Sequence, residues 1–133
     1  MHPSCRILCL SLTLTLFGVA FGHGADIVAP GATLETLWEE GGFTEGVAAG
    51  PDGAMYFSDF AQPFDSGPAR VMKFDPRSLK VTVHCPDSGM GNGLMFDRKG
   101  RLFGCCASPL GGHRALVEFL PSGKVKVIVG RYK

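Results

Sequence analysis

The feature that most constrains this chain is that it repeats itself. "EGVAAGPDGAMYF" (Glu45 to Phe57) lies without gaps on "NGLMFDRKGRLFG" (Asn92 to Gly104) at an offset of 47 residues. "VMKFDPRSLKVTV" (Val71 to Val83) lies on "LVEFLPSGKVKVIV" (Leu116 to Val129), with Phe74 over Phe119 and Pro76 over Pro121. Each copy reads polar residue, glycine, short apolar run, turn, second apolar run. A repeated unit of about 45 residues built from four antiparallel strands is the size of a β-propeller blade. Two halves of a β-sandwich are the alternative, but they do not require a near-constant period.

The pattern inside each unit predicts four short strands: 45–49, 54–59, 70–75 and 80–85 in the first, and 93–97, 101–106, 114–119 and 124–129 in the second. The turns "GPDG", "DPRS", "DRKG" and "LPSG" carry the Gly, Pro and Asp that hairpins need. In "KVTVHC" and "KVKVIV" valine alternates with other residues, which turns one face of each strand inward. With 19 Gly and 9 Pro among 133 residues, composition also favours many turns and short strands. The expectation is an all-β fold: a β-propeller of which this chain carries two four-stranded blades. A ring needs about four to eight blades, so either copies associate or the chain opens a longer one. The second is expected, because an isolated pair of blades exposes strand edges and a sheet face. "TLETLWEE" (Thr33 to Glu40) then fits a strand given to the last blade to close the ring.

The first residues are a separate matter. "MHPSCRILCLSLTLTLFGVAFGHG" places Arg6 before an uncharged apolar run from Ile7 to Phe21, followed by small residues in the spacing of a signal peptidase site. Residues 1–22 are therefore expected to be a signal peptide, and the mature protein to be secreted or periplasmic. The alternative, a membrane anchor, needs about twenty apolar residues. Residues 23–42 form a linker with the closing strand, and 43–133 the two blades. Of 13 basic residues only Arg6 lies in the leader, which leaves 12 against 12 acidic ones. That balance gives no electrostatic case for a nucleic-acid partner or an anionic membrane. The mature cysteines are Cys85, Cys105 and Cys106. Adjacent cysteines on a strand point to opposite faces, so these are either small buried side chains or, in an oxidising compartment, a Cys85–Cys105 bridge.

"FTEGVAAGPDGAMYFSDF", "RVMKFDPRSLKV", "SGMGNGLMFDRKGRL" and the terminal "VGRYK" together resemble the opening of the SMP-30/gluconolactonase/LRE-like family, over Leu37 to Lys133. The resemblance implies a six-bladed propeller, monomeric when complete, that hydrolyses a sugar lactone with a divalent metal in its central channel. It also implies that Glu45, in the "EG" pair opening the first innermost strand, is a metal ligand. The cation is expected to be Ca²⁺, with Mg²⁺ or Zn²⁺ as alternatives, and hard cations do take carboxylate and carbonyl oxygens. A solvated loop glutamate is the bland reading of Glu45. Asn92 takes its place in the second repeat, where its amide contacts substrate or water or else caps the turn of "MGNG". Asp59 matches the aspartate of the family's "FSD" motif and is expected to accept backbone N–H bonds at the strand end. His84 and His113 are placed on the outer half of the blades. The remaining ligands, an Asn and an Asp that also accepts a proton, match nothing here, so the site is expected to be incomplete. Alternatives are a non-catalytic propeller used for binding and a strictosidine synthase-like propeller.

Overall fold

The computed structural model describes residues 27–63, 67–107 and 113–130. The expected signal peptide, residues 1–22, lies outside them. The chain divides into two units, Met1–Leu34 and Glu35–Lys133. In the first, the described residues make one turn, closed by the Ala32 N–H on the Ala29 carbonyl.

The second unit is all-β among the described residues. Two four-stranded antiparallel sheets follow one another in the chain. The first holds β1 (Phe43–Ala49), β2 (Met55–Phe60), β3 (Arg70–Asp75) and β4 (Lys80–Cys85). The second holds β5 (Gly91–Phe96), β6 (Leu102–Cys106), β7 (Leu116–Phe119) and β8 (Val125–Val129). Within each sheet spatial order equals chain order, as in a propeller blade. The expected strands are present within two residues at either end. β1 starts earlier than predicted because Phe43 pairs with Phe60. β7 starts later because Arg114 has φ 48°, outside the strand region, although its N–H still donates to the Ala107 carbonyl at 3.3 Å.

Turn chemistry explains the hairpins. Gly53, Gly100 and Gly123 each donate to the carbonyl three residues back, at 3.0, 3.0 and 2.9 Å, and each has positive φ. In the repeat, the residue opposite Gly123 is Leu79, held at φ 56°.

The sheets are joined along their first strands, β1 beside β5, and share one core. Tyr56, Val71 and Cys85 of the first sheet pack with Leu94, Leu102, Cys106, Val117 and Phe119 of the second. The Tyr56 ring meets Phe96 edge-on at 5.0 Å and His84 at 5.1 Å. Phe119 fits because Gly91 and Gly104 face it: a Cβ on either would lie 2.5 or 2.7 Å from its ring. Burying such a ring contributes about 1.5–3 kcal/mol.

Residues 33–40 pair with neither sheet, and Trp38 packs on Phe57, with ring centroids 5.4 Å apart; the partner expected for a strand there is a last blade, outside these two sheets. One expectation changes. All three described cysteines are free thiols, so there is no Cys85–Cys105 bridge. Cys85 points into the core and its thiol donates to the Asp87 carbonyl, while Cys106 donates to the Ser88 carbonyl, both at 3.2 Å. Cys105 is exposed, on the opposite face of β6.

Candidate functional site

The candidate site lies at the end of the sheets where β1 and β5 begin. In both strands the pairing slips at the same place in the repeat, between Glu45 and Ala48 in β1 and between Asn92 and Met95 in β5. The residue after each polar side chain is a glycine in the left-handed region, Gly46 at φ 63° and Gly93 at φ 58°. These are β-bulges, and a bulge re-aims the side chain beside it. "EG" and "NG" are therefore bulge dipeptides. Glycine is also needed at 46 for space, because a Cβ there would lie 2.6 Å from Asn92 Oδ1 and 3.0 Å from the Gly93 nitrogen.

This close approach brings the Asn92 amide against the chain directly after Glu45. Asn92 is half-buried, and its Oδ1 accepts the Gly93 N–H at 2.7 Å. The amide oxygen thus serves the backbone directly after it, and the amide NH₂ is left as a donor. Glu45 is exposed and lines a cleft of about 430 Å³. Trp38, Phe57, Val47 and Leu37 form its apolar walls, and Glu35 supplies a second carboxylate. Ser58, paired with Glu45 across the ladder, is fully buried and its hydroxyl has no hydrogen-bond partner.

Asp59 does more than end a strand. It accepts the Gly42 N–H on Oδ1 at 2.9 Å, as expected, and its Oδ2 takes the guanidinium of Arg70, with Nε at 3.1 Å and Nη2 closer. At 1% exposure it is an internal anchor rather than a ligand. Arg70 carries no signal in the sequence, since a single cation opening a strand looks solvated.

The two histidines differ from expectation in one case. His84 lies on β4, the outermost strand of its sheet, as expected. His113 does not belong to an outer half. It precedes β7 at the end where β5 begins; its N–H donates to the Gly89 carbonyl at 3.2 Å, and its ring lies against Gly89, three residues before Asn92.

For a divalent cation the donor type fits: an exposed carboxylate on a cleft with another beside it suits a hard, oxygen-seeking ion better than zinc's nitrogen and sulfur preference. The number falls short, because among the described residues no three His, Cys, Asp or Glu side chains come together.

No family model matches the chain, and no curated protein does. Among solved structures it is similar to a gluconolactonase from Xanthomonas campestris, described as important in glucose secondary metabolic pathways, with 26% identity and a TM-score of 0.58. The similarity covers 73% of this chain and 29% of that one, so this chain spans under a third of its length. The fold is gluconolactonase-like: four-stranded antiparallel blades of a propeller.

Proposed function

We propose that this chain supplies part of the active site of a metal-dependent lactone hydrolase, with Glu45 as one ligand of a divalent cation and Asn92 beside the substrate. The observation that carries the reading is the likeness to a gluconolactonase over 73% of the chain, joined to an exposed carboxylate, Glu45, in a cleft. A bound cation would polarise the lactone carbonyl and stabilise the oxyanion that forms as water adds. The chain's own residues bind and orient. The bulge at Gly46 fixes the carboxylate of Glu45 at the cleft, the free NH₂ of Asn92 donates to a sugar hydroxyl, and Trp38 and Phe57 give an apolar wall against which a sugar ring packs. Hydrolysis adds one water across the ring ester and yields a hydroxy acid; the group that takes the proton of that water lies outside the described residues of this chain.

Trp38, the sole tryptophan, lines the same cleft as Glu45 and is a built-in donor for terbium luminescence. Tb³⁺ is expected to light up on excitation of Trp38, to be displaced by Ca²⁺, and to bind roughly tenfold or more weakly in Glu45→Gln, because a ligand charge is lost. The same substitution in the protein that carries the whole ring is expected to depress hydrolysis of gluconolactone, with partial rescue by excess metal. Unchanged terbium affinity in Glu45→Gln would remove Glu45 from the site. Metal binding without hydrolysis would favour a binding propeller instead.

A further inference from the structure

Ser58 lies inside β2 with its side chain wholly buried, and its hydroxyl has no hydrogen-bond partner. Buried polar groups in folded proteins are nearly always paired, because a donor taken out of water and left unmet costs free energy. Its neighbours across the two ladders do not supply the pair: Val71 on β3 is apolar, and Glu45 on β1 lines the cleft. Side chains alternate along a strand, so Ser58 shares the face of Tyr56, whose ring meets Phe96 of the second sheet. The hydroxyl therefore looks toward β5.

The polar groups on that side are defined by a missing side chain. A Cβ on Gly46 would lie 2.6 Å from Asn92 Oδ1, 3.0 Å from the Gly93 nitrogen and 3.4 Å from Ser58 Oγ. Ser58 Oγ and Asn92 Oδ1 thus border one gap, which is open because residue 46 is glycine. The Gly93 nitrogen is itself a donor, and its hydrogen already goes to Asn92 Oδ1. An amide oxygen has two lone pairs, so Oδ1 keeps one for a second donor. Ser58 is a donor in search of an acceptor at the same gap.

We propose that Ser58 is a positioning residue for Asn92: its hydroxyl donates to Oδ1 across the gap at Gly46. With both lone pairs of Oδ1 engaged, the carboxamide is held with its NH₂ turned away from the seam, toward the end of the sheets where β1 and β5 begin. The two sheets are then registered at the site by a hydrogen bond as well as by apolar packing. The contact stands on geometry alone; its effect on turnover rests on the proposed role of Asn92 beside the substrate.

The sign of one substitution tests the contact. Removing a buried hydroxyl that lacks a partner is neutral or stabilising, whereas removing a bonded one leaves its acceptor unmet and destabilises. Ser58→Ala in the 133-residue chain is expected to lower the denaturant midpoint. Asn92 is the sole asparagine, so isotope labelling of asparagine nitrogen gives a single side-chain amide by NMR. A hydrogen bond to a carbonyl oxygen strengthens the partial double bond between carbon and nitrogen. The two NH₂ protons of Asn92 are therefore expected to change places several-fold faster in Ser58→Ala, and at the original rate in Ser58→Thr, which keeps the hydroxyl. Terbium affinity is expected to be unchanged in Ser58→Ala, since Glu45 is not touched. In the protein that carries the whole ring, KM for gluconolactone is expected to rise about three- to tenfold with kcat nearly constant, because a loosely held amide weakens binding of substrate and transition state alike. A raised or unchanged midpoint, or an unchanged NH₂ exchange rate, would overturn the contact. Weakened terbium binding would overturn Asn92 as the partner in favour of Glu45. Faster NH₂ exchange with an unchanged KM would support the contact and take Asn92 out of the substrate site.

Discussion

At the end of β2 one carboxylate serves three donors: Asp59 receives the Gly42 N–H and two nitrogens of Arg70 while itself almost wholly buried. Replacing it by asparagine keeps the volume but puts an NH₂ where an acceptor was and leaves Arg70 without its counter-charge. The expected loss is about 1–3 kcal/mol, the penalty for unmet buried donors, read as a lower denaturant midpoint. Glu45→Gln, at an exposed position, is expected to stay within about 0.5 kcal/mol of the unaltered chain. The opposite sign is expected at Leu79. This exposed leucine holds φ 56°, where the other repeat uses Gly123. A left-handed conformation costs a non-glycine residue about 1–2 kcal/mol, part of which is returned through the greater freedom of glycine in the unfolded chain. Leu79→Gly is therefore expected to raise the midpoint by about 0.5–1 kcal/mol. A drop in stability would mean that the leucine side chain contributes more than its exposure suggests.

At the scale of elements, the seam between the sheets makes the fold acid-sensitive. His84 on β4 meets the Tyr56 ring. Burial holds its pKa below the usual histidine value and Lys73 adds to this, while the Phe119 carbonyl and Asp52 act against it; Arg101 and Glu118 are the other charged groups around the same small cavity. The unfolded chain thus takes up a proton near pH 6.5 that the folded chain resists, so stability is complete above that pH and falls as the pH drops below it. A second loss follows at lower pH. Asp52, bonded to Lys73 at 2.6 Å and to the Tyr56 hydroxyl at 3.0 Å, has its pKa lowered to about 2, and its contribution fades as the pH falls from 3.8 toward that value. Thermal melts between pH 8 and 5 are expected to show a falling midpoint that is flatter in His84→Gln; an equal slope would place the sensitivity elsewhere. The same seam shows what was legible beforehand. Strand positions were, because alternation and turn residues are local and the two copies corroborate each other. The bulges at Gly46 and Gly93 were not, since a bulge is a mismatch between two strands and neither strand spells it alone. Nor was the Asp59–Arg70 pair, whose partners are joined only by the β2–β3 register, or the place of His113, whose contact with Gly89 joins residues far apart in the chain.

At the scale of the whole molecule, the core is shared between repeats, so neither sheet keeps it alone. Cys85 comes from the first sheet and Cys106 from the second, both inside that core. Burial holds the Cys106 thiol pKa up, to about 11, and Cys85 is raised in the same way, so neither offers a thiolate near neutral pH. Both are expected to be alkylated at a common rate, that of global opening, when followed by peptide mapping. Distinct rates would mean that one sheet opens without the other. The recurrence of one kind of sheet also carries a consequence for inheritance. Any crossover between the two homologous halves of the gene that adds or removes one whole 47-residue period leaves every junction between neighbours of the kind already present. A deletion of a single strand has no such protection, because it joins faces that were never matched and inverts the direction of every strand that follows. Lineages descended from such a chain can therefore change length readily only in steps of a full blade, and the offset seen here is the step.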